Sequence, residues 1–244
     1  MNLHILPTGS EAAIAAARDI RDYINGNPNA LICLAAGETP LPVYQALIQM
    51  QKNGEADLNG VFYLGLDEWV GLDKKTPGSC AQVMNSHFYG PAGINMERVF
   101  EWDGKCACLE AEKRRAEAWI AKLGGIGLAL LGVGMNGHVG FNEPNTGLQT
   151  GAITVPLDDT TKQVSVKYFG KALPVEYGVS IGAGELKKAK RLLLIATGKN
   201  KAEIIKKTVC ESATPAAPAS LLMDHPDITV YADEDAAALI AAAK

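Results

Sequence analysis

The segment Gly132-Val133-Gly134-Met135-Asn136-Gly137-His138-Val139-Gly140-Phe141-Asn142-Glu143-Pro144 places an amide, an imidazole and a carboxylate in one short stretch. Imidazole takes or gives a proton near neutral pH, and its second ring nitrogen needs a partner to orient it. Asn136 and Glu143 can both supply that partner to His138, whereas His4, His87 and His225 lack such neighbours. The same pattern also fits a histidine whose hydrogen bonds only hold a loop. A second candidate lies earlier, where Asp67 and Glu68 stand side by side after the apolar run 61–66. A carboxylate at a strand end becomes a general base when burial raises its pKa. The bland alternative is a helix cap or a surface ion pair.

Anion binding is suggested by Ala35-Ala36-Gly37-Glu38-Thr39-Pro40, between an apolar run and a helical pattern. Backbone amides at a helix start suit phosphate, Gly37 permits tight backbone geometry and Thr39 offers a hydroxyl. Glu38 suits phosphate only if its side chain points away. An ordinary capped turn would look the same. Lys167 and Lys201, the latter in Gly198-Lys199-Asn200-Lys201, are candidate phosphate cations, although single lysines are commonly solvated surface charges.

Gly132–Gly137 literally matches G-x-G-x-x-G, with Asp158 and Asp159 downstream. A dinucleotide fingerprint needs a helix starting within its glycines, whereas this run continues into further glycines and Pro144. No dinucleotide is expected. The 5 cysteines, Cys33, Cys80, Cys106, Cys108 and Cys210, are odd in number and lack a framework spacing, which predicts reduced thiols in a cytoplasmic protein. Cys106 and Cys108 have no second ligand pair near them in sequence, so no metal is expected.

These groups need a scaffold. Apolar runs at 2–6, 30–35, 61–66, 126–133, 191–197 and 228–231 alternate with helical patterns, including Cys108–Leu123, Lys199 to about Glu211 and the tail 235–244. That alternation predicts an α/β fold: a doubly wound, mostly parallel, Rossmann-like sheet with helices on both faces, one domain over 1–244. Ligands of such sheets bind beyond the carboxyl ends of the strands, where the candidate loops lie. The net charge of −4 argues against a nucleic-acid or membrane surface. The N-terminus has no signal-peptide pattern, and no apolar stretch is long enough to span a bilayer.

Taken together, LAAGETP (34–40), LDEWVGL (66–72), GVGMNGHVGFNEP (132–144), GKNK (198–201) and PAS (218–220) resemble the glucosamine-6-phosphate deaminase family along nearly the whole chain. LDEW and PGSC (77–80) look more like a galactosamine-6-phosphate branch. The resemblance implies Asp67 as the base between C2 and C1 of an open-chain amino sugar. It implies His138, with Glu143 and Asn136, as the ring-opening group. Phosphate would sit on Gly37, Glu38 and Thr39 with Lys201, and no cofactor would be needed. The partner would be a small sugar phosphate, and the chain a monomer or small homo-oligomer.

Three departures from the family pattern stand out. Asn136 stands where many members have Asp, and Lys167 where many have Arg. Ile153 and Val155 replace the basic residues of allosteric members, so such activation is not expected. The nearest rival is a 6-phosphogluconolactonase, which shares the G-x-T-P loop and a G-H turn but would not need Phe141–Pro144. A non-catalytic sugar-phosphate sensor is more remote.

Overall fold

The computed structural model describes residues 1–170 and 173–241. Strand β1 (Asn2–Leu6) leads into helix α1 (Gly9–Gly26), capped by Thr8, whose hydroxyl accepts the Glu11 amide at 3.2 Å. The cap satisfies a helix-end donor. The helix buries a stripe of Ala12, Ala13, Ala16, Ala17, Ile20 and Ile24. Next come β2 (Leu31–Leu34), α2 (Leu41–Lys52), β3 (Phe62–Gly65) and β4 (Asp67–Trp69). Helix α3 (Cys80–Met84) starts at a Ser79 cap, followed by β5 (Val99–Phe100), α4 (Leu109–Lys122) and β6 (Leu128–Gly132). The remaining elements are β7 (Ala152–Pro156), α5 (Asp159–Phe169), β8 (Tyr177–Ile181), α6 (Ala183–Leu186), β9 (Arg191–Ala196), α7 (Ala202–Cys210), β10 (Ile228–Asp233) and α8 (Ala238–Ala241). The expected C-terminal helix is thus shorter than 235–244, and residues 242–244 lie outside the described ones.

Seven strands form one sheet in the order β1-β10-β9-β6-β2-β3-β5, every pairing parallel. Residues of alternate parity feed opposite faces. Ile32, Leu34, Leu128 and Leu130 pack with the apolar sides of α1 and α2. Leu31, Cys33, Ala129 and Leu131 pack with Ala116 and Ile120 of α4 and Ile205 of α7. Burial on both faces is why these strands read as unbroken apolar runs. From β2 the chain builds outward to β3 and β5, then β6 returns to the other side of β2. A crevice therefore opens at the carboxyl ends of β2 and β6, where the winding direction reverses.

The sequence pattern does not announce a second, antiparallel sheet, β4-β8-β7. Asp67 was expected at a strand's end, and it instead begins a new strand. The residue before it makes the change: the Leu66 amide donates to Leu34 O at 3.0 Å in the large sheet. Its carbonyl accepts the Ile181 amide at 3.0 Å in the small one. Beneath the small sheet, Trp69, Phe141, Ile153 and Val155 share an apolar cluster, with the Trp69 and Phe141 rings 4.6 Å apart. Ile153 and Val155 are core residues there, so no cation projects from those positions.

Asn142 staples the loop after β6 to this second sheet. It is fully buried, its Nδ2 donates to Val139 O and Ile181 O, both at 2.8 Å, and its Oδ1 accepts the Ala183 amide at 2.6 Å. Replacing Asn142 with Ala strands these backbone groups away from water. The expected loss of stability is about 3 kcal/mol, since each orphaned buried group costs about 1–3 kcal/mol. Equilibrium urea unfolding would measure it.

Candidate active site

A cavity of about 840 Å³ opens at the switch point. The turn after β2 supplies Gly37, Glu38 and Thr39, the start of β4 supplies Asp67, and the loop after β6 supplies His138. The turn after β9 adds Lys201, and α5 adds Thr161 and Lys167. Asn136 and Glu143 do not line it; they stand behind His138.

The histidine loop has a steric requirement. A Cβ on Gly134 would lie 2.5 Å from His138 Nε2, so only glycine lets the ring occupy its place. Gly140 has φ +56°, and a Cβ there would meet Ser180 Oγ at 2.6 Å. The glycines that mimic a dinucleotide motif thus serve to seat an imidazole. His138 Nδ1 lies 3.1 Å from Thr161 Oγ1 and 3.4 Å from Glu143 Oε2, leaving Nε2 as the other ring nitrogen. Burial would raise the Glu143 pKa, but hydrogen bonds with His138, Thr161 and Asn136 hold its carboxyl below the ordinary value.

Asn136 does not orient the imidazole directly, as had been expected. Its Nδ2 donates to Glu143 Oε2 at 3.0 Å and to Asp158 Oδ1 at 3.3 Å, while its Oδ1 accepts the His138 backbone amide at 3.2 Å. An amide has donors on one side and an acceptor on the other, so it joins two carboxylates and a backbone N–H without a charge. Asp158 also caps α5 by accepting the Thr160 amide at 2.9 Å.

The adjacent carboxylates Asp67 and Glu68 have separate tasks. Glu68 is fully buried and accepts the backbone amides of Trp69 (2.9 Å), Cys80 (3.0 Å) and Ala81 (2.9 Å). It holds the first two amides of α3, beside the Ser79 cap. Burial nevertheless pushes its pKa up to about 7, offset in part by those amides. Asp67, one strand position earlier, points to the opposite side of the small sheet and lines the cavity. Burial pushes its pKa up to about 6; a hydrogen bond from the Cys80 thiol and the nearby His138 pull it down. A carboxylate so tuned is mostly ionised at neutral pH yet basic enough to take a carbon-bound proton.

At the other side of the cavity, Gly37 does not owe its glycine to backbone strain. An added Cβ would meet only Pro40 Cδ, at 3.9 Å, so the side-chain position is open toward a ligand. Lys201 Nζ donates to Val133 O at 2.8 Å, and burial, then Lys167, lower its pKa, with Glu38 acting the other way. Lys167 Nζ lies 2.5 Å from Glu38 Oε2. Glu38 therefore points at a cation of the site.

Thr161, Asp158 and Cys80 escaped the sequence reading as site components. Asp158 stood out in the sequence only as an acid downstream of the glycine run, and its tie to Asn136 spans 22 positions. Cys80 looked like one of several unconnected thiols. Among the described residues, no three His, Cys, Asp or Glu side chains gather as metal ligands, Cys106 and Cys108 included. No described helix is long and apolar enough to cross a membrane.

Residues 8–231 match the family model of glucosamine-6-phosphate isomerases and 6-phosphogluconolactonases. A glucosamine-6-phosphate deaminase of Thermoanaerobacter pseudethanolicus is 39% identical, over 98% of this chain and 95% of its own length. One from Clostridium perfringens is 34% identical, over 98% of this chain and 100% of its own. Among solved structures, a monomeric glucosamine-6-phosphate deaminase superposes with a TM-score of 0.94 at 34% identity, covering 98% of this chain and 100% of that one. A 6-phosphogluconolactonase of Trypanosoma brucei superposes at 0.76 with 18% identity, over 97% of each chain, a likeness of fold.

Carbon-13 NMR titration of the Asp67 carboxyl is expected to show a midpoint near 6. Replacing Cys80 with Ala removes a donor to the ionised form, so the midpoint should move up. If Asp67 is a base, turnover is full above that midpoint and falls as pH drops through it.

Proposed function

The chain belongs to the family of glucosamine-6-phosphate isomerases and 6-phosphogluconolactonases, and within it we propose an amino-sugar 6-phosphate deaminase/isomerase. Glucosamine 6-phosphate becomes fructose 6-phosphate and ammonia. The observation that carries this reading is the shared cavity: Asp67 and His138 both face it, with the Gly37–Thr39 turn and two lysines at the phosphate side. The high-coverage relatives named as glucosamine-6-phosphate deaminases support the same substrate.

In the proposed reaction, the phosphate is held by the Gly37–Thr39 turn with Lys201 and Lys167. His138, its Nδ1 held by Glu143 and Thr161, shuttles the proton that opens the pyranose ring. Asp67 removes the C2 proton of the open-chain sugar, giving a C1–C2 enolamine. The same carboxylic acid returns the proton to C1, forming an iminium at C2. Water adds there, and ammonia leaves with formation of the C2 ketone. The substrate's own nitrogen and carbonyl accommodate the electron pair. Asn136 supports the step from behind, by anchoring Glu143 to the loop. The protein would act as a monomer or small oligomer in the cytoplasm.

The test is ammonia release by purified protein given glucosamine 6-phosphate or, separately, galactosamine 6-phosphate. Release from glucosamine 6-phosphate, reduced at least about 10³-fold in Asp67→Asn with substrate binding retained, is the expected result, in line with loss of a general base. Faster release from the galactose epimer would reassign the substrate. Release from neither, with hydrolysis of a 6-phosphogluconolactone, would replace the deaminase reading by the lactonase one.

A further inference from the structure

Glu38 is an unexpected neighbour for a dianion. It sits in the turn that offers backbone amides to phosphate, and a carboxylate there repels the ligand unless it has another role. Its side chain reaches Lys167, 129 positions later on α5, at 2.5 Å. Both residues line the cavity, as does Lys201. Lys201 is half-buried and held by Val133 O, whereas Lys167 and Glu38 are both exposed, with side-chain exposures of 62% and 53%. The three charges sum to +1: two lysines and one carboxylate. Of the two cations, Lys201 is fixed in place, and Lys167 holds an ion pair that a stronger anion can exchange.

We propose that Glu38 is an internal competitor for the substrate's phosphate: its carboxylate takes the place on Lys167 that a phosphate oxygen would take. This rests on the deaminase reading only in naming the phosphate's owner. A phosphate dianion carries about −2 charge and three acceptor oxygens, against one charge and two oxygens for Glu38, so it displaces the carboxylate. A ligand whose anionic group carries a single charge has little advantage over Glu38. The device thus lowers affinity by one common factor for every anion that needs Lys167. Exchange of an exposed pair has a modest effect, about three- to fivefold in affinity. An arginine at position 167 would grip a carboxylate in bidentate fashion, and a lysine, as a point charge, releases it more readily.

The experiment is calorimetric titration with inorganic phosphate at low ionic strength and pH 7.5. The proteins are the wild type, Glu38→Gln, Lys167→Met and the double variant. Glu38→Gln is expected to bind phosphate about three- to fivefold more tightly, and the gain should shrink in the Lys167→Met background. With glucosamine 6-phosphate, Glu38→Gln should lower KM by a similar factor while kcat changes less than about twofold, the mark of lost competition in the ground state. No gain in Glu38→Gln overturns the proposal. So does an equal gain without Lys167, which would mean general repulsion, and so does a wild type that takes no phosphate. Absence of ammonia release from all four proteins would defeat the deaminase reading, and phosphate binding would still decide the role of Glu38.

Discussion

Leu66 bonds to two sheets at once, and the site depends on that. Its amide continues the parallel ladder to Leu34, and its carbonyl starts the antiparallel one to Ile181. A strand that simply ended at Gly65 would release the next residues into a loop. The double engagement fixes the backbone on both sides of Asp67, so the carboxylate projects into the cavity from a rigid strand. Ile181 also accepts from Asn142, which ties the histidine loop to the same point. Asp67 and the imidazole are thereby referenced to one backbone position, although they lie 71 positions apart in the chain.

Three acidic side chains near that point, Glu68 and Glu143 buried and Asp67 half-buried at the cavity wall, differ in what surrounds them. Glu68 is consumed by three backbone amides and stitches α3 to β4. Glu143 is drawn down in pKa by hydrogen bonds and keeps its charge behind the imidazole. Asp67 is raised by burial and meets a thiol, a weak donor that stabilises its charge only slightly. A proton-transfer site needs this inequality, because identical carboxylates would compete for one proton. Asn136 contributes by being neutral. An aspartate in its place would set a third negative charge between Glu143 and Asp158, while the amide bonds to both.

In the proposed reaction, the chain's acidic balance leaves phosphate to be held locally. The turn after β2 gives backbone donors, Lys201 gives a cation anchored to β6's following residue Val133, and Lys167 gives one on α5. The exchangeable partner of Lys167 is the feature that distinguishes this arrangement from a simple basic pocket.

Much of this was legible in the amino-acid sequence because it is local. Apolar runs buried on both faces announced the parallel strands, turn residues marked their ends, and strand-end position singled out Asp67, His138 and the Gly37–Thr39 turn. The short strands β4, β7 and β8 left no comparable pattern, since three to five residues of mixed polarity acquire strand form only by pairing with one another. Sequence also placed Asn136 and Glu143 beside His138 without telling which touches the ring. Only the tertiary structure decided that Thr161 and Glu143 share Nδ1, that Asn136 stands behind them, and that Glu38 meets Lys167. Those contacts join segments far apart in the chain, where neither periodicity nor turn chemistry constrains which side chains meet. Packing of α5 and the second sheet over the switch point makes that choice.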